Sequence, residues 1–337
     1  MRMPKMAIAI THTSCDRTVF PFYPSKNTMQ KTIINLFSRL CLVALLPFLS
    51  ACGGDDNDIQ FGEENGQGSG GVVVTPSRNI TSRMETPEVK TDGTTQLVQH
   101  STTTSSGREV MAYCLEYDKR QHHSRWVAFR FDGDTRARNV SRSDEPFADD
   151  PKLSADLHIG SRGFGSGYDR GHLCASADRL YSREANELTF FMSNMSPQMS
   201  AFNQGYWVTL EGLVQKLGRN VSFADTLYVV KGGTVAENQV KTHLTRPNGT
   251  RVAVPKYYYM ALLKVKNGVY SSVAFWMEHK NYGYTYKNPA PLTEIKKHAC
   301  TVNSLEQKTG INFFPNLPNN VEESVEDQLI TSNWGMQ

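Results

Sequence analysis

The middle of the chain alternates between apolar and polar residues over short stretches, which is the pattern of strands that bury one face. The alternation is clearest in five stretches, which we predict as core strands: residues 110–117, 126–131, 226–235, 256–265 and 269–277. Residues 293–299 and 301–308 have the spacing of short helices, and Gly310 lies where glycine commonly ends a helix. Residues 132–157 are polar and are predicted as a long excursion from the core.

A longer helical pattern begins after Pro197. Its apolar residues recur at intervals of three or four: Trp207, Leu210, Leu213, Val214 and Leu217. Asn203, Trp207 and Glu211 are each four residues apart, so an α-helix would place them near one face. We therefore predict that the amide of Asn203 and the carboxylate of Glu211 face the same side.

The first part of the chain has the features of an export signal. Residues 1–28 have no hydrophobic period, and we interpret them as an upstream extension, with Met29 as the true start. Residues 29–51 are then predicted as a signal peptide, because basic residues precede an apolar run at 40–49 that is too short to span a membrane. The run ends in Leu-Ser-Ala-Cys at Cys52, which resembles the bacterial lipobox.

The lipobox resemblance implies that the thiol of Cys52 receives diacylglycerol, which anchors a protein to a membrane without a spanning helix. The protein would then be exported and lipid-anchored in the bacterial cell envelope, on its periplasmic face or at the cell surface. The alternative is an ordinary secretory signal that is cleaved nearby. Residues 52–92 are rich in small and polar residues and are predicted as a flexible tether, followed by one domain at residues 93–337.

The charge of the chain is close to balanced. The formal net charge is +3 over 337 residues, and six of the basic residues lie within residues 1–52. Strong binding to polyanions therefore does not follow from net charge, and a local patch of arginines would have to supply it.

The most informative short motif is Asp169-Arg170-Gly171-His172. Histidine is the usual general base near neutral pH, and the planar guanidinium of arginine suits a phosphate group. Residues i and i+2 of a strand share a face, so Arg170 and His172 would reach one substrate group. The alternative is a polar turn with a hydrogen-bonded histidine.

The second candidate group is Asn203 with Glu211 on the predicted helix. An amide oxygen and a carboxylate suit a hard cation that keeps most of its water, as Mg²⁺ does. The alternative is that Asn203 caps the helix and that Glu211 is solvated.

Together these motifs resemble the DNA/RNA non-specific endonuclease family, the ββα-metal nucleases with an Asp-Arg-Gly-His motif. The resemblance covers roughly residues 96–318. It rests on five ordered segments: residues 169–172, 193–198, 203–211, 254–257 and 309–315. It implies an α+β fold, with a central antiparallel sheet flanked by helices and a ββα-metal active-site finger.

The resemblance also implies a role for each candidate residue. His172 would be the general base, Asn203 the one direct ligand of Mg²⁺ or Mn²⁺, and Glu211 a partner of the surrounding water. Arg170 would bind the phosphate together with an arginine of the 132–157 excursion, for which Arg138 is the first candidate. Arg142 is the alternative to Arg138 as the second phosphate ligand. Asp169 would be structural, and the amide of Asn194 would support the metal site.

The implied activity is hydrolysis of DNA and RNA with little sequence specificity. The competing interpretations are a non-catalytic surface lipoprotein that binds nucleic acid and a phosphodiesterase for small substrates. Loss of His172 or Asn203 would favour the first, and both residues are present.

Three cysteines, Cys114, Cys174 and Cys300, lie in the predicted domain. The sequence permits a Cys114–Cys300 disulfide but does not show it. Cys174 could act as a nucleophile, although a buried thiol is the favoured interpretation. Residues after Pro318 are acidic and polar and are predicted as a loose tail.

Overall fold

Antiparallel strands dominate the computed structural model, which describes residues 79–337 except residues 105 and 166. The strands, in chain order, are β1 (Thr95–Thr103), β2 (Glu109–Asp118), β3 (His123–Phe131), β4 (Tyr168–His172), β5 (Met195–Met199), β6 (Thr226–Gly233), β7 (Val240–Thr245), β8 (Arg251–Pro255), β9 (Tyr257–Lys266), β10 (Val269–Glu278) and β11 (Ala299–Cys300). The main sheet has the order β1-β2-β3-β6-β9-β10-β11, while β4 pairs with β5 and β7 with β8. All paired strands run antiparallel.

The helices are short, apart from one that follows β5. They are α1 (Arg183–Leu188), α2 (Val208–Arg219), α3 (Leu292–Lys296), α4 (Val302–Thr309) and α5 (Asn319–Glu326). A π-helical turn, Phe202–Trp207, leads directly into α2. Short 3-10 turns occur at Ile80–Ser82, Ala155–Leu157, Ser176–Asp178, Met192–Asn194, Glu237–Gln239 and Thr331–Trp334.

The main sheet buries both of its faces. In β3, Val127, Phe129 and Phe131 belong to the core beneath α2, whereas Trp126 and Ala128 belong to the core that includes α4 and α5. This division follows from the two-residue period of a strand. The helix α2 approaches β3 closely at Gly218, where a Cβ atom would lie 2.3 Å from the ring of Phe131.

The five strands predicted from alternation are confirmed, each within a few residues, as β2, β3, β6, β9 and β10. The two predicted C-terminal helices are also confirmed as α3 and α4. The second ends at Gly310, whose φ of 64° is left-handed. The polar excursion, residues 132–157, contains one 3-10 turn, Ala155–Leu157, and no named helix or strand. It precedes β4 in the chain. Helices flank a central antiparallel sheet, so the expected α+β architecture is confirmed.

The folded domain begins earlier than predicted, and its C-terminal end is packed where a loose tail was expected. The flexible tether was predicted to reach residue 92, but Glu85 and Thr86 are fully buried and the backbone N–H of Lys90 donates to Glu116. The predicted loose tail instead forms α5, and Trp334 and Met336 are buried beyond it. A few large apolar side chains are enough to hold a mostly polar segment on the core.

The predicted upstream extension, signal peptide, lipidation residue Cys52 and the first part of the tether lie outside the described residues. Within residues 79–337, as far as they are described, no helix has the length and apolar character needed to cross a bilayer.

Candidate active site

The strands β4 and β5 form a small antiparallel ribbon that carries the first candidate residues. Gly171 pairs with Ser196, and His172 pairs with Met195. A Cβ atom on Gly171 would lie 2.2 Å from the side-chain oxygen of Gln198, which is buried against it. Glycine is therefore required at this position, because any side chain would displace Gln198 from the ribbon.

The helical segment after β5 is tied to the ribbon through Asp169. Its carboxylate accepts hydrogen bonds from Ser200 Oγ at 2.7 Å, Asn203 Nδ2 at 3.0 Å and Gln204 Nε2 at 2.8 Å. Burial alone would raise the pKa of Asp169, but these hydrogen bonds outweigh it and lower the pKa below its ordinary value. Asp169 therefore has a structural role. It accepts a hydrogen bond from the amide nitrogen of Asn203, which leaves Asn203 Oδ1 available to a ligand.

The predicted helix contains a π-helical turn that the spacing did not indicate. Asn203 lies in this turn and Glu211 lies in α2, yet both line the same cavity. Trp207 is buried, and its indole N–H donates to the backbone oxygen of His172 at 3.2 Å. The prediction that Asn203 and Glu211 face one side is confirmed, and Trp207 joins the helix to the strand that carries His172.

One cavity of about 680 Å³ brings the candidate residues together; we call it the basic cavity. Its polar lining includes Arg138, Arg142, Arg170, His172, Asn203, Gln204, Glu211, Gln215 and Arg219. Four arginines face a single carboxylate in this lining, so the cavity favours an anionic ligand. The local arginine patch that net charge did not reveal is therefore present.

His172 packs against two phenylalanine rings, which also contact each other, at the wall of the basic cavity. The ring centroids of Phe147 and Phe190 are 5.8 Å and 5.5 Å from that of His172. The Nε2 atom is buried and has no hydrogen-bond partner among the described residues. Burial, reinforced by nearby positive charges led by that of Arg142, lowers the pKa of His172 to about 3. The imidazole is therefore neutral at neutral pH, which is the protonation state that a general base requires.

The same two phenylalanines also position the arginines. The Arg170 guanidinium lies 3.7 Å from the Phe147 ring centroid and donates to a backbone oxygen, while that of Arg142 lies 4.9 Å from the Phe190 ring centroid. Arg170 and His172 both line the basic cavity, as their alternation in a strand predicts.

Of the two candidate arginines of the excursion, Arg142 is the one that lies against the phenylalanine beside His172. Both side chains line the basic cavity. The charge of Arg142 lowers the pKa of His172 and acts on Glu211, whereas that of Arg138 acts on Arg219 at another part of the wall. Sequence spacing could not separate two arginines that are four residues apart in a loop.

A buried charge cluster beside Glu211 was missed from the sequence. The Nζ atom of Lys231, which is fully buried, lies 2.6 Å from Asp178 Oδ2 and 3.8 Å from Glu211 Oε1. Burial raises the pKa of Glu211, with Lys231 opposing this shift and Asp178 adding to it. A lysine inside an otherwise apolar strand was the available signal, because a buried charge requires a partner.

Asn194 does not line the basic cavity. It is buried, its Oδ1 accepts from the backbone N–H of Cys174 at 2.8 Å, and its Nδ2 donates to the backbone oxygens of Cys174 and Thr189. Both polar atoms of its side chain are thus bonded to the backbone of Cys174, two residues after His172. Asn194 therefore fixes the backbone at the end of β4, and its expected support of the metal site stays a prediction.

The three cysteines within the described residues form no disulfide. Cys114, Cys174 and Cys300 are all free thiols. Cys174 is fully buried, and burial raises its pKa, so the reactive thiolate is suppressed. Within the described residues, no cluster of three or more His, Cys, Asp or Glu side chains could hold a metal ion. Asn203 lines the basic cavity, and its amide oxygen together with water is a ligand set that fits a hard ion such as Mg²⁺.

Comparison with known proteins assigns the chain to a family. A sequence model of the DNA/RNA non-specific endonuclease family matches residues 93–320. The chain belongs to this family. It is therefore a nuclease, a hydrolase of phosphodiester bonds, and the resemblance seen in the sequence motifs is confirmed.

Individual relatives agree with this assignment. Nuclease C1 of Cunninghamella echinulata var. echinulata is 28% identical over 218 residues, which cover 62% of this chain and 82% of the relative. Mitochondrial endonuclease G of Homo sapiens is 28% identical over 221 residues, or 61% and 68% of the two chains. A crystal structure of the EndoG/EndoGI complex has a TM-score of 0.51 at 23% identity, covering 67% of this chain and 89% of that chain, so the fold is shared.

Proposed function

We propose that this nuclease is a Mg²⁺-dependent endonuclease that cleaves DNA and RNA with little sequence specificity, and that His172 is its general base. The observation that carries the proposal is that His172 and Asn203 line one cavity together with four arginines. Mn²⁺ is the expected substitute for Mg²⁺, because both prefer oxygen ligands.

The reaction requires an activated water and a positioned phosphodiester. The neutral imidazole of His172 accepts a proton from the water as its oxygen attacks phosphorus, and the bond from phosphorus to the leaving oxygen breaks. Asn203 Oδ1 would hold the ion, and Glu211 would accept hydrogen bonds from water around it. When bound, Mg²⁺ would stabilise the negative charge that develops on the phosphate and on the departing oxygen.

Arg170 and Arg142 supply the fixed positive charge. Their guanidinium groups, each lying against a phenylalanine ring, would bind the non-bridging oxygens of the scissile phosphate. These arginines would contact the phosphate, which is the same in every nucleotide, and Asn203 would contact the ion. None of these groups would contact a base. Contacts of this kind position a nucleic acid without reading its sequence, so low base specificity is expected.

A plasmid-nicking assay tests the proposal. Purified protein is incubated with supercoiled DNA in Mg²⁺, in Mn²⁺ and in excess chelator, and in parallel with single-stranded RNA and with bis(p-nitrophenyl) phosphate. We expect nicked and linear DNA and shortened RNA with either metal, and none with chelator. Binding without cleavage would favour a non-catalytic nucleic-acid-binding lipoprotein, and hydrolysis of the small ester alone would favour a small-substrate phosphodiesterase.

We also propose that the mature protein is lipid-anchored through Cys52 in the cell envelope. The support is the lipobox-like sequence after a short apolar run. In a bacterial host that processes lipoproteins, we expect the wild-type protein in the membrane fraction and Cys52→Ala in the soluble fraction. Quantitative membrane retention of Cys52→Ala would overturn the proposal.

A further inference from the structure

A short hairpin projects a tyrosine at the edge of the basic cavity. The backbone groups of Thr285 and Asn288 exchange two hydrogen bonds of 3.0 Å, which makes Tyr286 and Lys287 the two residues of the tip. The side chain of Tyr286 is 78% exposed, the highest value for any large apolar or aromatic side chain among the described residues. Because the hairpin fixes its backbone, the tyrosine leaves the chain at a defined point at the edge of the cavity.

The hairpin is anchored on the helical segment that carries Asn203. The ring of Tyr282, just before the hairpin, lies 4.6 Å from that of Tyr206. A Cβ atom on Gly205 would lie 2.3 Å from the backbone oxygen of Tyr284, so backbone and backbone are in direct contact there. The position of the tip relative to the active-site residues is therefore set by packing.

Tyr286 lies between the basic cavity and a second cavity of about 580 Å³, which we call the tyrosine cavity. Tyr286 and Gln204 line both. The rest of the tyrosine cavity includes Tyr284, Asn281 and Lys287, and no carboxylate lines it. A polynucleotide whose scissile phosphate occupies the basic cavity could thus place a neighbouring nucleotide here without meeting negative charge.

From this arrangement we propose that Tyr286 is a stacking site for an unpaired nucleobase next to the cleaved bond. The inference rests on the proposed function, because it requires the scissile phosphate to bind in the basic cavity. Every base offers a π-face, so stacking on tyrosine adds affinity without sequence preference. In a duplex both faces of a base are covered by its neighbours, so the ring can engage only a single strand, a loop or a frayed end. Lys287 adds attraction for the adjoining phosphate.

The test compares Tyr286→Ala with the matched variant Tyr286→Phe, which keeps the ring. The kcat and KM values are measured with Mg²⁺ on a fluorogenic single-stranded oligonucleotide, on a blunt-ended duplex of the same length closed by G·C pairs, and on an abasic strand of the same length. We expect Tyr286→Ala to raise KM about tenfold on the single strand, in line with the loss of one stacked base. KM on the duplex and on the abasic strand should change less than twofold, and Tyr286→Phe should match the wild type.

Equal effects of Tyr286→Ala on all three substrates, or no effect on any, would overturn the stacking site while leaving the nuclease proposal intact. A loss shared by Tyr286→Phe would also overturn it, since the hydroxyl rather than the ring would then be responsible. If the wild-type protein with Mg²⁺ cleaves none of the three, the proposed function fails and the stacking site fails with it.

Discussion

We expect the substitution His172→Ala to lower kcat on DNA by about 10²- to 10⁴-fold, the range for loss of a general base. The imidazole packs against Phe147 and Phe190, and its low pKa keeps it neutral across the physiological range. The substitution removes the proton acceptor but leaves the arginines of the basic cavity in place. The affinity for DNA, measured by fluorescence anisotropy in Ca²⁺, should therefore change only a few-fold.

Two controls separate lost chemistry from a lost fold. Added imidazole should restore part of the kcat of His172→Ala, because a diffusible base can occupy the space that the side chain leaves. His243→Ala, which changes a histidine outside the basic cavity, should retain the wild-type rate. A His172→Ala protein with near-wild-type kcat would contradict the assignment of the base. So would a folded His172→Ala protein whose lowered kcat does not rise when imidazole is added.

The substitution Asn203→Ala should lower kcat/KM by about 10²- to 10³-fold, the cost of removing one group that stabilises transition-state charge. It should also raise the Mg²⁺ concentration at half-maximal activity, because the side chain provides the one protein ligand expected for the ion. Asn203→Asp should recover only part of the activity. The new carboxylate would lie where Asn203 Nδ2 now donates to Asp169 at 3.0 Å, and two like charges would repel there.

The matched control for this prediction is Gln204→Ala. Gln204 is the next residue in the chain, donates to the same oxygen of Asp169 and also lines the basic cavity, but it is not assigned to the ion. Activity is measured against Mg²⁺ concentration for all three variants. An unchanged Mg²⁺ requirement in Asn203→Ala, or an equal increase in Gln204→Ala, would contradict Asn203 as the ligand.

Local sequence rules predicted the parts of the site that lie on one element. The two-residue period of β4 places Arg170 beside His172, and the helical period places Asn203 and Glu211 on one side. The same rules located the main strands, because each buries a face of alternating apolar residues. The π-helical turn did not disturb the second prediction, since both side chains still reach the basic cavity.

The parts that the sequence did not predict depend on contacts between distant segments. Lys231 and Asp178 are far apart in sequence, and only the packing of β6 against the connection after β4 places their charges together beside Glu211. The choice between Arg138 and Arg142 depends on how an irregular loop crosses the cavity. The buried Trp334 shows the same limit at the C-terminal end, where composition suggested a loose tail.

The most direct test of the account is a crystal structure with Mn²⁺ and an oligonucleotide that carries a non-cleavable phosphonate linkage. Anomalous scattering would locate the ion, and the phosphorus would mark the reaction centre. We predict that Mn²⁺ lies about 2.1 Å from Asn203 Oδ1 and contacts that linkage, with the ring of His172 on the opposite side, one water molecule from phosphorus. An ion away from Asn203, or a phosphorus beyond the reach of a water bonded to His172, would contradict the account.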